Sequence, residues 1–232
     1  MEETEVPRTR AARRALIEAY QRGPYSPARH LGFVVGFGVS VAALSIALLD
    51  DVRAVELLAV PVHWVVSNAA EWRFHRDLLH RRRAPFEWTY DAHNGHHRIY
   101  VVGDMTVAGP HEWWTILLPW WAIAALAAAL VPICGLLGVI FGANVGLLVM
   151  ATSMIYVATY ELLHLSFHLP GTHPIGRLPL IRWLARHHEL HHDPRRMRTH
   201  NFNVTFPLWD WVRGTTLRAG AEAVPRGMSR RT

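Results

Sequence analysis

The sequence predicts an all-α integral membrane protein: four transmembrane helices in two hairpins, carrying a cytoplasmic helical cap rich in histidine that holds two metal ions. Three observations predict it. Uncharged apolar runs, each about long enough to cross a hydrocarbon core, alternate with polar stretches dense in arginine and histidine. The arginines are segregated to one side of those runs. Ten of the 16 histidines fall in four tight clusters, all in the arginine-rich stretches.

Residues 1–30 are polar, and residues 8–21 have the composition of a short basic helix, broken by Gly23, Pro24 and Pro27. Residues 31–49 form an uncharged span of 19 residues. Asp50, Asp51 and Arg53 make a turn into a weaker second span, residues 54–70, which carries Glu56, Pro61, His63 and Asn68. A second hairpin follows at residues 113–131 and 135–158, joined around Pro132. Trp113, Trp114, Trp120 and Trp121 suit an interfacial aromatic belt, and Gly135, Gly138, Gly142 and Gly146 suit close helix packing. The expected organisation is an N-terminal segment (1–30), a membrane-embedded unit (31–216) and a flexible tail (217–232).

All 24 basic residues are arginine. Six lie in residues 1–30, six in 71–112 and eleven in 159–232, against one, Arg53, in the two hairpin turns. Both termini and the central loop are therefore expected in the cytoplasm. The absence of lysine suits a GC-rich genome, and a bacterial inner membrane is the expected location. The net charge of +6 reflects orientation in a membrane, not nucleic-acid binding, because the arginines flank apolar spans. Cys134 stands alone, which excludes an intramolecular disulfide and disfavours thiolate metal ligation. No A-x-A-like site precedes the first span, so no cleaved signal peptide is expected.

The four clusters are His75 and His80; His93, His96 and His97; His164 and His168; and His188, His191 and His192. Spacings of three and four put imidazoles on one helical face, where they can converge. His75 and His80 are five apart, roughly 140° around an ideal helix, so that pair is expected to serve different metals or to straddle a helix end. Ten imidazoles exceed what one ion can use, and two ions follow. Imidazole suits iron, zinc and copper alike. Glu71 and Glu161 precede His75 and His164 by four and three residues and are candidates to orient those rings. The isolated histidines His30, His63, His111, His173, His187 and His200 read as surface or hydrogen-bonded core residues, and Asp91 and Asp193 as solvated loop charge.

The motifs HRDLLH, HNGHH, HLSFH and HHELHH, in that order around a membrane hairpin, resemble the fatty acid hydroxylase and sterol desaturase superfamily. So does NFNVTFPLWDWVRGT at residues 201–215, with Asn201, Trp209, Asp210, Gly214 and Thr215 at matching positions. The five-residue spacing of His75 and His80 is similar to that of the fatty acyl (ceramide) 2-hydroxylases. The resemblance implies a non-haem di-metal centre with iron favoured and zinc a candidate in purified protein. It implies O2 as oxidant, a lipid C–H bond as target, and the ten clustered histidines as metal ligands and catalytic residues. Asn201 and Asp210 join Glu71 and Glu161 as candidate ligand-orienting residues. Eukaryotic fatty acyl enzymes often carry a fused cytochrome b5-like haem domain, which is not found in this sequence. The implied electron donor is thus a separate cytochrome b5-like or ferredoxin system. The connector from His80 to His93 is shorter than the resemblance leads one to expect.

A sterol, carotenoid or isoprenoid hydroxylase or desaturase of the same superfamily is the alternative reading. Two others differ in class. His188, Glu189 and His192 also spell the HExxH zinc-protease motif, with Glu189 as general base, although that leaves most clustered histidines without a role. A metal-handling membrane protein would carry ligands within its spans or in His-rich tails, whereas these spans hold only His63.

Overall fold

The computed structural model describes residues 10–20 and 23–217, and the tail expected beyond residue 217 lies outside them. The described residues are helical or irregular, apart from one isolated β-bridge between Val101 and Asp104.

The basic helix is α1, Arg10–Tyr20. α2, Pro27–Ala47, starts on the proline that the sequence suggested as a breaker: Ser26 caps it, accepting from the Arg29 amide, and Pro27 takes the first turn, where no amide partner is needed. A single 3-10 turn, Glu56–Leu58, leads into α3, Ala59–Phe74, which continues as a π-turn over His75–Leu79. α4 is Glu87–Ile99 and is followed by a loop containing a 3-10 turn, Pro110–Thr115. α5, Trp120–Phe141, and α6, Ala143–Phe167, form the second hairpin. α7, Pro179–His191, and α8, Leu208–Arg213, close the described chain.

Among the described residues three helices are long and apolar enough to cross a membrane: α2, α5 and α6. The expectation of four spans in two hairpins is corrected on this point, because the span predicted at 54–70 is a helix of 16 residues. Its polar residues explain the weaker apolar signal. His63 bonds the Ser153 hydroxyl at 2.7 Å, and Asn68 donates to Tyr156, Thr205 and the Phe206 carbonyl. These groups turn inward against α6, while Val62 and Val66 remain 62% and 53% exposed on the other side.

The α5–α6 corner is also displaced from its expected place. Pro132 lies inside α5, and the chain turns at Gly142, whose φ of 108° belongs to glycine. The helices then approach closely: a Cβ on Gly146 would sit 2.4 Å from the Cys134 carbonyl oxygen. Gly138 adjoins this contact, whereas Gly135 faces open space. Trp113 and Trp114, in the 3-10 turn of the loop, are partly buried, and Trp120 and Trp121 are exposed.

The two hairpin corners are tied to each other at one end of the bundle. Asn144 donates to the Asp50 carbonyl at 2.7 Å and to Glu56 at 3.1 Å, and accepts from the Asp50 amide. Arg53 completes the cluster by donating to Glu56, whose carboxyl is held down to about 2 by the Arg53 backbone amide and then its guanidinium. All four histidine clusters lie at the opposite ends of α3 and α6 or beyond them, so the scaffold separates a polar lock from the site.

Candidate metal centre

Helical periodicity deals the histidines into two groups. α4 sends His93 and His97, four apart, to the first group and His96 to the second. α7 does the reverse, sending His191 to the first and His188 and His192 to the second. The π-turn supplies His75 and His80 together. Its wider winding brings a five-residue spacing back to one face, and the rings stack at 5.1 Å with an interplanar angle of 17°. Of the two expectations for that pair, the second holds: His75 opens the π-turn and His80 caps its end, and both join one group. The first group is His75, His80, His93, His97 and His191; the second is His96, His168, His188 and His192. Within each, one ring nitrogen per residue lies within 4.8 Å of all the others.

His164 stands beside the second group without joining its tight set. Its ring centroid is 4.8 Å from those of both His96 and His188, and neither of its nitrogens has a hydrogen-bond partner.

The nitrogens that meet are Nε2 atoms. His93 Nε2 lies 3.0, 3.1 and 2.9 Å from those of His75, His80 and His97, and His80 Nε2 is 2.9 Å from that of His191. In the second group His192 Nε2 lies 3.2 Å from His96 and 3.0 Å from His188. The outer Nδ1 atoms are held by backbone carbonyls: His75 by Phe202, His191 by His200, His192 by Tyr100, His168 by Met105 and His96 by Thr115. A carbonyl can only accept, so each of these rings carries its proton on Nδ1 and turns a bare Nε2 lone pair inward.

Converging lone pairs repel unless a cation sits among them, and one proton can bridge only one pair. Burial keeps the rings uncharged: His75 and His168 are lowered to about 4 by desolvation, and His80, His93, His97, His188, His191 and His192 fall well below the ordinary range by burial and by neighbouring imidazoles. Neutral, fixed-tautomer imidazoles with unpartnered inward nitrogens, such as His168 Nε2, are the donor set a transition-metal ion requires. The residues fit two ions.

The carboxylates expected to orient rings have other partners. The Glu71 carboxylate accepts from the Val204 and Thr205 amides and from the Thr205 and Tyr156 hydroxyls, fastening the C-terminal segment to α3. Glu161 accepts from the Leu118 amide at 2.8 Å, with its other oxygen unpartnered. Asp210 accepts from the Phe202 and Asn203 amides, from Thr215 and from His187, and so fixes the segment whose Phe202 carbonyl holds His75. Asn201 bridges the His187 carbonyl and the Leu217 amide. The actual ring acceptors, five main-chain carbonyls, leave no mark in a sequence.

Glu189, the general base of the protease reading, turns outward. It accepts from the Gly103 amide and pairs with Arg186, and its side chain is 23% exposed. A small hollow bordered by His80, His97, Tyr90, Asn94 and Arg198 opens beside the first group.

A family model described as fatty acid hydroxylase matches residues 60–215, which contain all ten clustered histidines. The chain belongs to the fatty acid hydroxylase family. The resemblance read from the four motifs is thereby borne out. No curated protein sequence matches this family member. A solved structure described as full-length scs7p, with only its hydroxylase domain visible, is similar over 83% of this chain and 67% of its own. The identity is 19% and the TM-score 0.56, so the two share a fold. This hydroxylase-family chain is thus an all-α membrane protein with two histidine groups able to hold metal, consistent with an O2-dependent lipid hydroxylase, an oxidoreductase.

Proposed function

We propose that the protein hydroxylates an unactivated C–H bond of a lipid acyl chain at two iron ions. His75, His80, His93, His97 and His191 hold one ion; His96, His168, His188 and His192, with His164 adjacent, hold the other. The observation that carries this reading is the convergence of Nε2 atoms into two adjoining groups, with the outer nitrogens of five rings fixed by the backbone.

When bound, the iron pair supplies the reductive activation of O2, with electrons from a separate donor of the cytochrome b5 or ferredoxin type. The chain's own residues do the rest. The carbonyls of Phe202, His200, Tyr100, Met105 and Thr115 hold five rings in one tautomer and orientation, so that no rearrangement is needed as the metals change oxidation state. Burial of all ten rings excludes bulk water from a site that handles a strong oxidant.

The membrane arrangement belongs to the same proposal. α3 lies along α6, with contacts at Glu56–Asn144, His63–Ser153 and Asn68–Tyr156 on its approach and length, packed beside the three candidate spans. Arginine placement supports the histidine side being cytoplasmic. Residues 31–216 are then the catalytic unit. Residues 169–186, with Leu178, Leu180 and Trp183 exposed, form an interfacial lid through which an acyl chain reaches the site.

Untargeted lipid mass spectrometry of cells expressing the wild type or His191→Ala tests the activity. A hydroxylated lipid is expected only with the wild type. An identical lipid profile in both would overturn the reading.

A further inference from the structure

The outer nitrogens of the two histidine groups are held by different parts of the chain. The first group relies on residues 200–202, through the His200 and Phe202 carbonyls. The second relies on the loop between α4 and α5, where Tyr100, Met105 and Thr115 hold His192, His168 and His96. The fourth ring of that group, His188, has no partner at Nδ1. The geometry of the second group is therefore only as rigid as this loop.

An irregular stretch running from Tyr100 to Pro119 needs a support, and α1 supplies it. Arg13, Leu16 and Ile17 share one face of α1 at spacings of three and four. Ile17 is buried with Ile99, Tyr100, Val107, Ile116 and Leu117, and Leu16 packs against the same cluster. Arg13 reaches beneath the loop with only 13% of its side chain exposed. It donates to the Thr106 carbonyl at 2.8 Å and to Glu112 at 3.1 Å, and lies 3.6 Å from Asp104. Its guanidinium also stands over the Tyr100 ring, 5.2 Å from the centroid. Glu112, itself buried, passes the constraint on by accepting from the Ala108 amide at 2.9 Å, while its carbonyl accepts from the Thr115 hydroxyl. That hydroxyl meets the Tyr100 hydroxyl at 2.8 Å. One guanidinium thus touches Tyr100, bonds Thr106 beside Met105 and reaches Thr115 through Glu112, and it comes from a helix outside residues 60–215, the extent of the family match.

We infer that α1 is a clamp for the second metal site, with Arg13 as the positioning residue that sets His96, His168 and His192 through the loop. The inference rests on the reading that both histidine groups bind metal. A planar fork with several donors suits the task, because it must serve a carbonyl, a carboxylate and an aromatic face at once. Lysine offers one compact charge and cannot satisfy all three.

The test is titration of the metal-free, full-length protein in lipid nanodiscs with cobalt(II), followed by its visible ligand-field spectrum. The wild type should take up two ions per chain. Arg13→Ala should weaken one site about 10–100-fold and leave the other unchanged, the usual cost of losing a group that orients a ligand. Arg13→Lys, which keeps the charge and the fold, should recover part of that affinity. Arg14→Ala should leave both sites intact, since Arg14 is 83% exposed and pairs with Glu18 on its own helix. In a His188→Ala background, Arg13→Ala should not alter the site that remains. Two unaltered sites in Arg13→Ala, or equal weakening of both, would overturn the clamp. A wild type that binds a single ion would instead overturn the two-metal reading beneath it.

Discussion

His75 and His80 stack face to face, 5.1 Å between centroids, although five residues separate them. In an α-helix that spacing would splay the rings by roughly 140°. The π-turn at His75–Leu79 closes the gap, and it places both imidazoles against His93.

The division into two groups predicts independent loss of metal. His80→Ala and His188→Ala should each lower the metal content of purified protein from two ions per chain to about one, as read by elemental analysis. The double variant should retain none. Complete loss from either single variant would show that the groups form one indivisible site.

Metal-free protein should be acid-sensitive. His75 and His168 have pKa values lowered to about 4 by burial, against roughly 6.5 in an unfolded chain. Such groups take up protons on unfolding, so their support for the fold is complete above about pH 6.5 and is lost as pH falls toward 4. Thermal unfolding of chelated protein should show a midpoint that drops steadily between pH 7 and pH 5. Bound metal should raise the midpoint most at the upper end, because protons compete for the same nitrogens.

Asp210→Asn should damage the first site alone. The carboxylate gathers the Phe202 and Asn203 amides, the Thr215 hydroxyl and His187, and an amide can accept at only one end. Release of the Phe202 carbonyl from His75 should weaken metal binding there by about tenfold or more, with the second site unchanged in the same titration.

Gly146→Ala should destabilise the bundle without altering metal stoichiometry. The new methyl would meet the Cys134 carbonyl at 2.4 Å and force α5 and α6 apart. A cost of about 1–3 kcal/mol is expected, visible as a lowered midpoint of thermal unfolding.

Glu189→Gln should leave lipid oxidation within about twofold of wild type, since surface changes of this kind rarely cost much. Its carboxylate faces Gly103 and Arg186, not the imidazoles. Abolished turnover in this variant would revive the protease-type assignment.

Much of this was legible in the sequence for identifiable reasons. Imidazoles at helical spacing announce a metal site because side-chain chemistry and periodicity are both written in the residues, but spacings of three and four alone do not separate His96 from His93 and His97. The π-turn was not legible, since a one-residue widening of a helix has no compositional signal at His75–Leu79. Pro132 misled because a proline within an apolar helix can be absorbed, whereas Gly142 met a requirement for positive φ that shows only in the backbone. Glu71 and Glu161 stand close in sequence to His75 and His164, but the carboxylate of each is claimed by main-chain amides from distant segments, Val204 and Leu118.

The dependence of the first histidine group on the far C-terminal segment has a consequence for biosynthesis. His75 and His80 are made early in synthesis, yet His75 has no carbonyl to hold it until Phe202 arrives, and Phe202 is not fixed until Asp210 and Thr215 close around it. On the two-metal proposal, loading at that site would be a late maturation step that follows translation of residue 215. A ribosome stalled before that point would leave that histidine group half-formed.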